Sequence, residues 1–518
     1  MKNEKILSVA LVAIMSMPLV ASDVFAENGI SYIGVDGTAE EYTGTYNTVT
    51  ENDIVWTDGW YIVSGDVTIG SAENVQTVTV TGDVKLVLSN DSSLTVNGSI
   101  VADDDDDNAL NGSVNSLTVY AQSEDDSKGN LVVQNAAMGN NGIGGSGTIN
   151  IYGGKVVAEG GKGKPETKTP GGVGISGDIT IGGGVVIAKG GAGETNDRSQ
   201  VSEESTGGAG ISGNVIINGG VVTAVGGNGG DGQKCDYSEG CDGGNGAVGM
   251  AGSIRINGGM VDATVGNGGN GGDGTKDCEA SDGGNGGAGA AGIGFNSSSG
   301  ICKFNMDGGI VTAIGGNGGN GGKGINGGLS INGGSVSNQG KDGKGGSGGA
   351  GCSLAVNINS GEFISVGGKG GTGSTNGSDG KAFVVVPIAD SSVEWEVSAG
   401  ESADNLEPVE SVNNETYTSN KAVKLYGYKT AIKGAKIDSG KTVALLHFSK
   451  KGTYTVIFAS YNEGRMERVD AVTVTVTGIG ATTVSSEEDI VLTDGDKIML
   501  WNSLTDLTPL CEEYVIAD

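Results

Sequence analysis

The chain has one histidine, His447, and that alone narrows its chemistry. A metal site of several imidazoles or a paired-histidine proton relay is excluded, and a nucleophile triad could form at one position only. Carboxylates dominate: 62 Asp and Glu against 30 Lys and Arg give a formal charge of −32. No basic patch is left to neutralise phosphates, so nucleic-acid binding would work against the protein's own field and is excluded. Asp103 to Asp107 form an unbroken acidic run. Such hard oxygens suit calcium, but neighbouring like charges on one loop repel and face water, so the run is read as solvated. Among the six cysteines, Cys235 and Cys278 follow similar glycine tracts in matching register, with Cys241 close by. A disulfide among these three and free thiols in an anaerobic habitat are the two readings, and the sequence does not choose between them. Three cysteines without a fourth ligand do not make a metal site.

Glycine motifs need the same scrutiny. Gly226-Gly227-Asn228-Gly229-Gly230-Asp231 and Gly268-Gly269-Asn270-Gly271-Gly272-Asp273 are similar to a calcium-binding nonapeptide. Gln233 and Thr275 stand where that motif needs a large aliphatic residue, and the unit does not recur every nine residues. No calcium site is therefore predicted, and no cofactor. Matches to Gly-x-Gly-x-x-Gly arise here by composition, and none follows a strand and opens a helix.

The elements that would position these residues begin after an export signal. Lys2 and Lys5 precede the apolar run Ile6 to Ala21, and Val24-Phe25-Ala26 supplies small residues for processing. Cleavage between Ala26 and Glu27 is predicted, which makes the protein secreted or cell-surface with no integral membrane segment in the mature chain.

Between Asn141 and Gly380, 80 of 240 residues are Gly. That is the collagen proportion, but the glycine spacing along this region is irregular and Pro165 and Pro170 are its only prolines, so collagen is excluded. Within it a unit of alternating aliphatics, a Gly-Gly pair and a second alternating strand recurs. The unit appears at Ile149 to Gly154, Ile179 to Gly184, Ile216 to Gly220, Ile254 to Gly259, Phe304 to Gly309, Leu329 to Gly334 and Val356 to Gly361. A third short strand, as at Gly172 to Gly177 and Gly208 to Gly213, precedes most units. Three strands per repeat, with variable glycine-rich insertions, predict a parallel β-helix over residues 76–385, capped by 27–75 and by a connector at 386–427. The residue before the Gly pair, or before Ser360-Gly361 in the last unit, is Asn218, Asn257, Asp307, Asn332 or Asn359, with Tyr152 and Gly182 as exceptions. Asn, Asp and Gly tolerate left-handed backbone at a bend, and stacked coils should pile these side chains into a structural ladder.

Trp56 to Val63 with Val78 to Leu88, and the later Gly210-Ile211-Ser212-Gly213 and Ile216 to Ala224, resemble the glycine-rich secreted proteins of Gram-positive gut bacteria. The resemblance covers about residues 30–385. It implies a right-handed β-helix of the pectin-lyase-like type on a cell surface. Hydrolases of that fold carry Asn-Thr-Asp, paired Asp, Gly-His-Gly and Arg-Ile-Lys motifs. The β-helix here has no histidine, and its arginines are Arg198, in an insertion, and Arg255, on a strand with no carboxylate motif to partner it. No catalytic residue is assigned, and the expectation is that the protein is not an enzyme.

After Gly380 glycine thins out. Strands at Val443 to Phe448, Thr453 to Phe458, Val469 to Val476 and Lys497 to Trp501 predict a small β-sandwich over 428–518. Asp496 to Trp501 with Leu507 to Cys511 resembles the end of a module that recurs at the C-terminus of secreted Gram-positive proteins, often beside carbohydrate-active domains. Trp501 and Tyr454 could stack on sugars, though an aromatic in an alternating strand is more often core. The reading is an all-β chain, a right-handed parallel β-helix followed by a β-sandwich. It would act as an adhesin-like binder of extracellular glycan or host glycoprotein through loops of the helix. A structural stalk displaying the C-terminal module, and a polysaccharide lyase or hydrolase, are the alternatives.

Overall fold

The computed structural model describes residues 29–103, 115–164, 169–195, 206–233, 239–274, 281–294, 302–325, 339–462, 464–487, 490–505 and 508–516. Among the described residues the chain is all-β apart from one short helix, Asn414–Ser419. Its larger part is a solenoid of parallel strands, two per coil, and nine such coils stack among the described residues. At about 4.8 Å per coil they make a rod of roughly 43 Å.

Register follows from the alternating aliphatics. In the front sheet Ile179, Val215, Ile254, Phe304 and Val356 lie opposite one another on successive coils. In the back sheet the matching column is Ala188, Ala224, Ala263, Ala313 and Ser365. One coil shows the consequence: Ile211, Val215, Ile217, Val222 and Ala224 are all buried. Each large aliphatic removed from water contributes about 1.5–3 kcal/mol.

The expected third strand lies in the front sheet, as the separate pairs Ile143–Gly144 and Ile293–Gly294 in two coils and fused to the front strand in others. There it is the first half of the front strand, as in Ile175–Ile181, Ile211–Ile217 and Met250–Ile256. Gly213 bends that strand with φ of 138°, and a Cβ there would lie 2.0 Å from the carbonyl oxygen of Gly177. Between the sheets the second Gly of each pair makes the corner, Gly220 at φ 79° and Gly259 at φ 83°. The left-handed residue is thus this glycine and not the Asn or Asp before it: Asn218, Asn257, Asp307 and Asn359 do not have positive φ. A second correction concerns Leu329 to Gly334. Phe304–Met306 pairs directly with Val356–Ile358, and Ile310–Ile314 with Gly361–Val366. No coil therefore lies between them, and that unit falls in a connection outside the described residues.

Parallel pairing begins ahead of the expected boundary at residue 76, with Tyr46–Thr48 against Trp60 to Ile62. The hairpin Ile30–Ile33 and Ala39–Tyr42 precedes it. At the far end Ala422–Gly427 runs antiparallel to Gly361–Val366 and covers the edge of this last parallel strand, which would otherwise offer unpaired N–H and C=O groups to another chain; Glu396–Gly400 and Leu406–Pro408 extend the sheet beyond it. Beyond it lie a three-stranded antiparallel sheet (Ala431–Asp438, Lys441–Phe448, Gly480–Ser485) and a four-stranded one (Arg465–Val476, Gly452–Asn462, Lys497–Trp501, Tyr514–Val515). They share a core of Phe448, Val456, Phe458 and Leu500. Among the described residues no helix is long and apolar enough to cross a membrane.

Candidate functional site: the glycine fin and the groove at its root

From Lys155–Glu159 onwards the glycine tracts are the third side of the coils. After the back strand the chain runs outward through a glycine tract, in Gly-Gly-x triplets where it is longest, as in Gly266 to Gly274 and Gly315 to Gly324, and it returns through a second tract to the next front strand. Burial along the outgoing tract has a period of three: Gly269 and Gly272 are buried, Asn270 and Asp273 are exposed, Gly271 is intermediate. Three residues per turn is the periodicity of the polyproline II helix, which makes no internal hydrogen bonds and leaves every N–H for a neighbour.

Those neighbours are other tracts. The first glycine of a triplet donates to the next coil, Gly229 to the carbonyl of Asn267 (2.9 Å), Gly268 to Asn317 (2.8 Å) and Gly318 to Lys369 (2.8 Å). The second glycine bonds across to the opposite layer. One chain of such bonds runs from Gly244 to Gly230, Gly269 to Gly244, Gly287 to Gly269, Gly319 to Gly287, Gly346 to Gly319 and Gly371 to Gly346, each 2.8 Å. The result is a two-layered fin of outgoing and returning tracts. At about 3.1 Å per residue, Gly266 to Gly274 spans roughly 28 Å of it. Glycine is required here by close approach, not by its φ: a Cβ on Gly269 would lie 2.0 Å from the carbonyl oxygen of Gly230.

The third N–H of each triplet, on the exposed residue, is bonded by a side chain of the preceding coil. Asn228 Oδ1 accepts from Asn267 N (2.8 Å), Asn267 Oδ1 from Asn317 N (2.8 Å), and Asn317 Oδ1 from Lys369 N (2.8 Å). A parallel column links Asp231, Asn270, Asn320 and Thr372. Asp273 serves Lys323, and on the returning face Asp242 serves Asn285, Asn285 serves Lys344, and Asp282 serves Lys341. Asp231 and Asp273, the carboxylates of the two nonapeptide-like motifs, are therefore rungs of the fin.

Grooves flank the fin where it meets the solenoid. On the returning side a hollow of about 600 Å³ passes Val173, Ala209 and Val248. On the outgoing side a groove of about 520 Å³ lies between the fin and the back sheet, with Asn267, Asn317 and Lys369 on one wall and Ile314 and Val366 on the other. Lys421 stands at its end, held by Asp379 (2.8 Å) and Glu401 (2.8 Å).

The predicted corner residues have a related geometry. Asn257 Nδ2 donates to Asn218 Oδ1 (2.7 Å), and Asn359 Nδ2 donates to Asp307 Oδ1 (2.6 Å), with no rung between the last two. Asn332 lies outside the described residues. Between Asn257 and Asp307 both facing groups are acceptors, and Arg255 bridges them: its Nε donates to Asn257 Oδ1 (2.9 Å) and its Nη2 pairs with Asp307 (2.6 Å). Arg255 thus has a carboxylate partner, supplied by the next coil and not by any motif on its own strand. The exceptions are a pair: the Tyr152 ring lies where a Cβ on Gly182 would be, 2.5 Å away, and it stacks on Tyr120 at 5.7 Å.

Cys241 is disulfide-bonded, while Cys235 and Cys278 lie outside the described residues, as do Ala26, Glu27, Arg198 and Asp104 to Asp107. Asp103 accepts the N–H of Ser146 (3.0 Å). Cys302, Cys352 and Cys511 are free thiols, and burial pushes Cys352 up to about 12. Tyr454 is buried, stacked on Phe448 at 4.8 Å, and its hydroxyl donates to the Lys450 carbonyl (2.8 Å). Trp501 is partly buried on its strand. His447 lies edge-on to Tyr428 at 4.5 Å, and burial, with Lys433 nearby, holds its imidazole below the usual range. Among the described residues no three His, Cys, Asp or Glu side chains gather as a metal site.

The fin's rungs escaped the sequence reading, although their signal was present. Gly-Gly-x repeats in the longest tracts, as in Gly266 to Gly274 and Gly315 to Gly322, and is masked along the region by the strands between tracts. Comparison with protein-family models, with curated proteins and with solved structures found no match.

Proposed function

We propose that this is a secreted, surface-exposed, non-catalytic protein, with a right-handed β-helix of the pectin-lyase-like type, that binds an extracellular glycan or host glycoprotein through its fin. The observation that carries the reading is the fin itself, a rigid two-layered blade with a groove at its root and polar side chains at fixed spacing. A stalk needs only the stacked coils. The fin adds a large ordered surface that contributes nothing to the solenoid's apolar interior, and binding residues are commonly carried by segments that a rigid scaffold positions. Its carboxylates are committed to backbone N–H groups, which favours a structural role for them over acid–base work.

The test is to probe residues 27–518 against an array of mucin, plant and microbial glycans and host secretory glycoproteins, with and without calcium. Saturable binding without release of reducing ends or unsaturated products is expected. Silence across the array would return the weight to a stalk displaying the C-terminal module, and product release would establish an enzyme.

A further inference from the structure

The outgoing groove carries more detail than a general glycan surface. Its fin wall is Asn267, Asn317 and Lys369, the last three members of a column that starts at Asn228 and in which each Asn Oδ1 accepts the backbone N–H of the next member. A backbone N–H can only donate, so the atom facing it must be the carbonyl oxygen, and the amide nitrogen of every Asn is turned away from the next rung. Among the described residues these three Nδ2 groups donate to nothing in the protein, and the Lys369 ammonium forms no ion pair. The wall therefore offers hydrogen-bond donors in one repeated orientation, about 4.8 Å apart from coil to coil, and ends on a cation.

A second observation points the same way. The rung needs only an oxygen, and elsewhere in the fin Asp supplies it: Asp231, Asp242, Asp273 and Asp282 all accept a backbone N–H at 2.6–2.8 Å. In a chain with 62 carboxylates, the column lining this groove has none. Across from it Ile314, 38% exposed, and Val366 offer apolar surface, and the exposed Glu401 is paired with Lys421. Neutral sugars donate as well as accept and are best met by mixed partners. A row of donors ending in an ammonium suits a ligand that presents mainly anionic oxygens. The net charge of −32 opposes an anion at long range, but at physiological salt that field is screened beyond about 8 Å.

We propose that the groove between the fin and the back sheet binds an acidic polysaccharide, carboxylated or sulfated, lying along the solenoid axis. The Asn267 and Asn317 amides and the Lys369 ammonium contact its anionic groups. This rests on the reading of the protein as a glycan binder and names the ligand class. The test measures binding of residues 27–518 to polygalacturonate, dextran sulfate and neutral dextran by affinity electrophoresis at physiological salt. The paired variant Asn267→Asp with Asn317→Asp keeps both rung oxygens and removes both outward donors. Lys369→Ala, at an exposed position that is hydrogen-bonded through its backbone and whose ammonium also acts on the nearby Asp379 carboxylate, is the second variant should the first lose its fold. The expected result is binding to at least one acidic polymer and not to dextran, weakened about tenfold or more by either variant with the melting curve unchanged. Equal binding of dextran, no binding of either acidic polymer, or variants that bind like the parent would overturn it. A neutral glycan captured on the array and indifferent to these variants would leave the broader reading standing and remove this one.

Discussion

Gly269 and Asn267 stand two residues apart and are constrained for opposite reasons. Gly269→Ala would place a methyl 2.0 Å from the carbonyl oxygen of Gly230, and since backbone on both sides has to move, a loss of about 3 kcal/mol or more is expected in denaturant unfolding. Asn267→Ala would leave the Asn317 N–H without its acceptor, at about 1–2 kcal/mol, whereas Asn267→Asp should be nearly neutral. At the corner, Arg255→Ala would leave Asn257 Oδ1 facing the Asp307 carboxylate with no donor between them. About 1 kcal/mol is expected for this partly exposed pair, and Asp307→Asn in the same background should restore it, because an amide can donate where a carboxylate cannot. Additive losses in that double-mutant cycle would refute the bridge. His447 sets a pH dependence. Its folded-state pKa is depressed, so the unfolded chain takes up a proton first, and stability is complete above about pH 6.5 and declines as pH falls through that value. Melting followed from pH 8 to pH 5 should therefore fall more steeply for the parent than for His447→Leu. At this scale Asn-Gly-Gly was legible as a corner, but the assignment of left-handed backbone was not, because Asn and Gly both tolerate it and only the chain's path decides. Arg255 and Asp307 are 52 residues apart, across an insertion of variable length, so no spacing rule joins them.

The alternating strands and their register were legible as elements, since a period of two with every second residue aliphatic leaves few other structures. The glycine tracts were read as insertions because period three was sought along the whole region, where strands with period two interrupt it. Their order has a direct consequence: phase matters more than length. Inserting one Gly after Gly269 would rotate every later triplet by a third of a turn and send Asn270 and Asp273 toward the opposite layer. Inserting Gly-Gly-Asn at the same point would keep the phase. Thermal melting should fall by several degrees for the single insertion and by clearly less for the triplet. Equal losses would mean that the tracts are not threefold helices.

For the whole molecule, solenoid and sandwich were both visible in composition, although the solenoid's sheets run on past the point where glycine thins, to Ile388–Ala389 and Ala422–Gly427. What composition concealed is that the solenoid has two kinds of side. Two are sheets that bury aliphatics against each other, and the third is a blade held by backbone hydrogen bonds with almost no apolar interior. A binding surface built this way is rigid without a core, which is why the functional proposal rests on it. Amide hydrogen exchange on residues 27–518 tests that claim most directly. The account predicts that the amides of Gly269, Gly287, Gly319 and Gly346, each bonded to the opposite layer, are protected to the same degree as those of Val261 and Ala263 in the back sheet. Exchange of these glycines at the rate of an unfolded chain, beside a protected sheet, would contradict it.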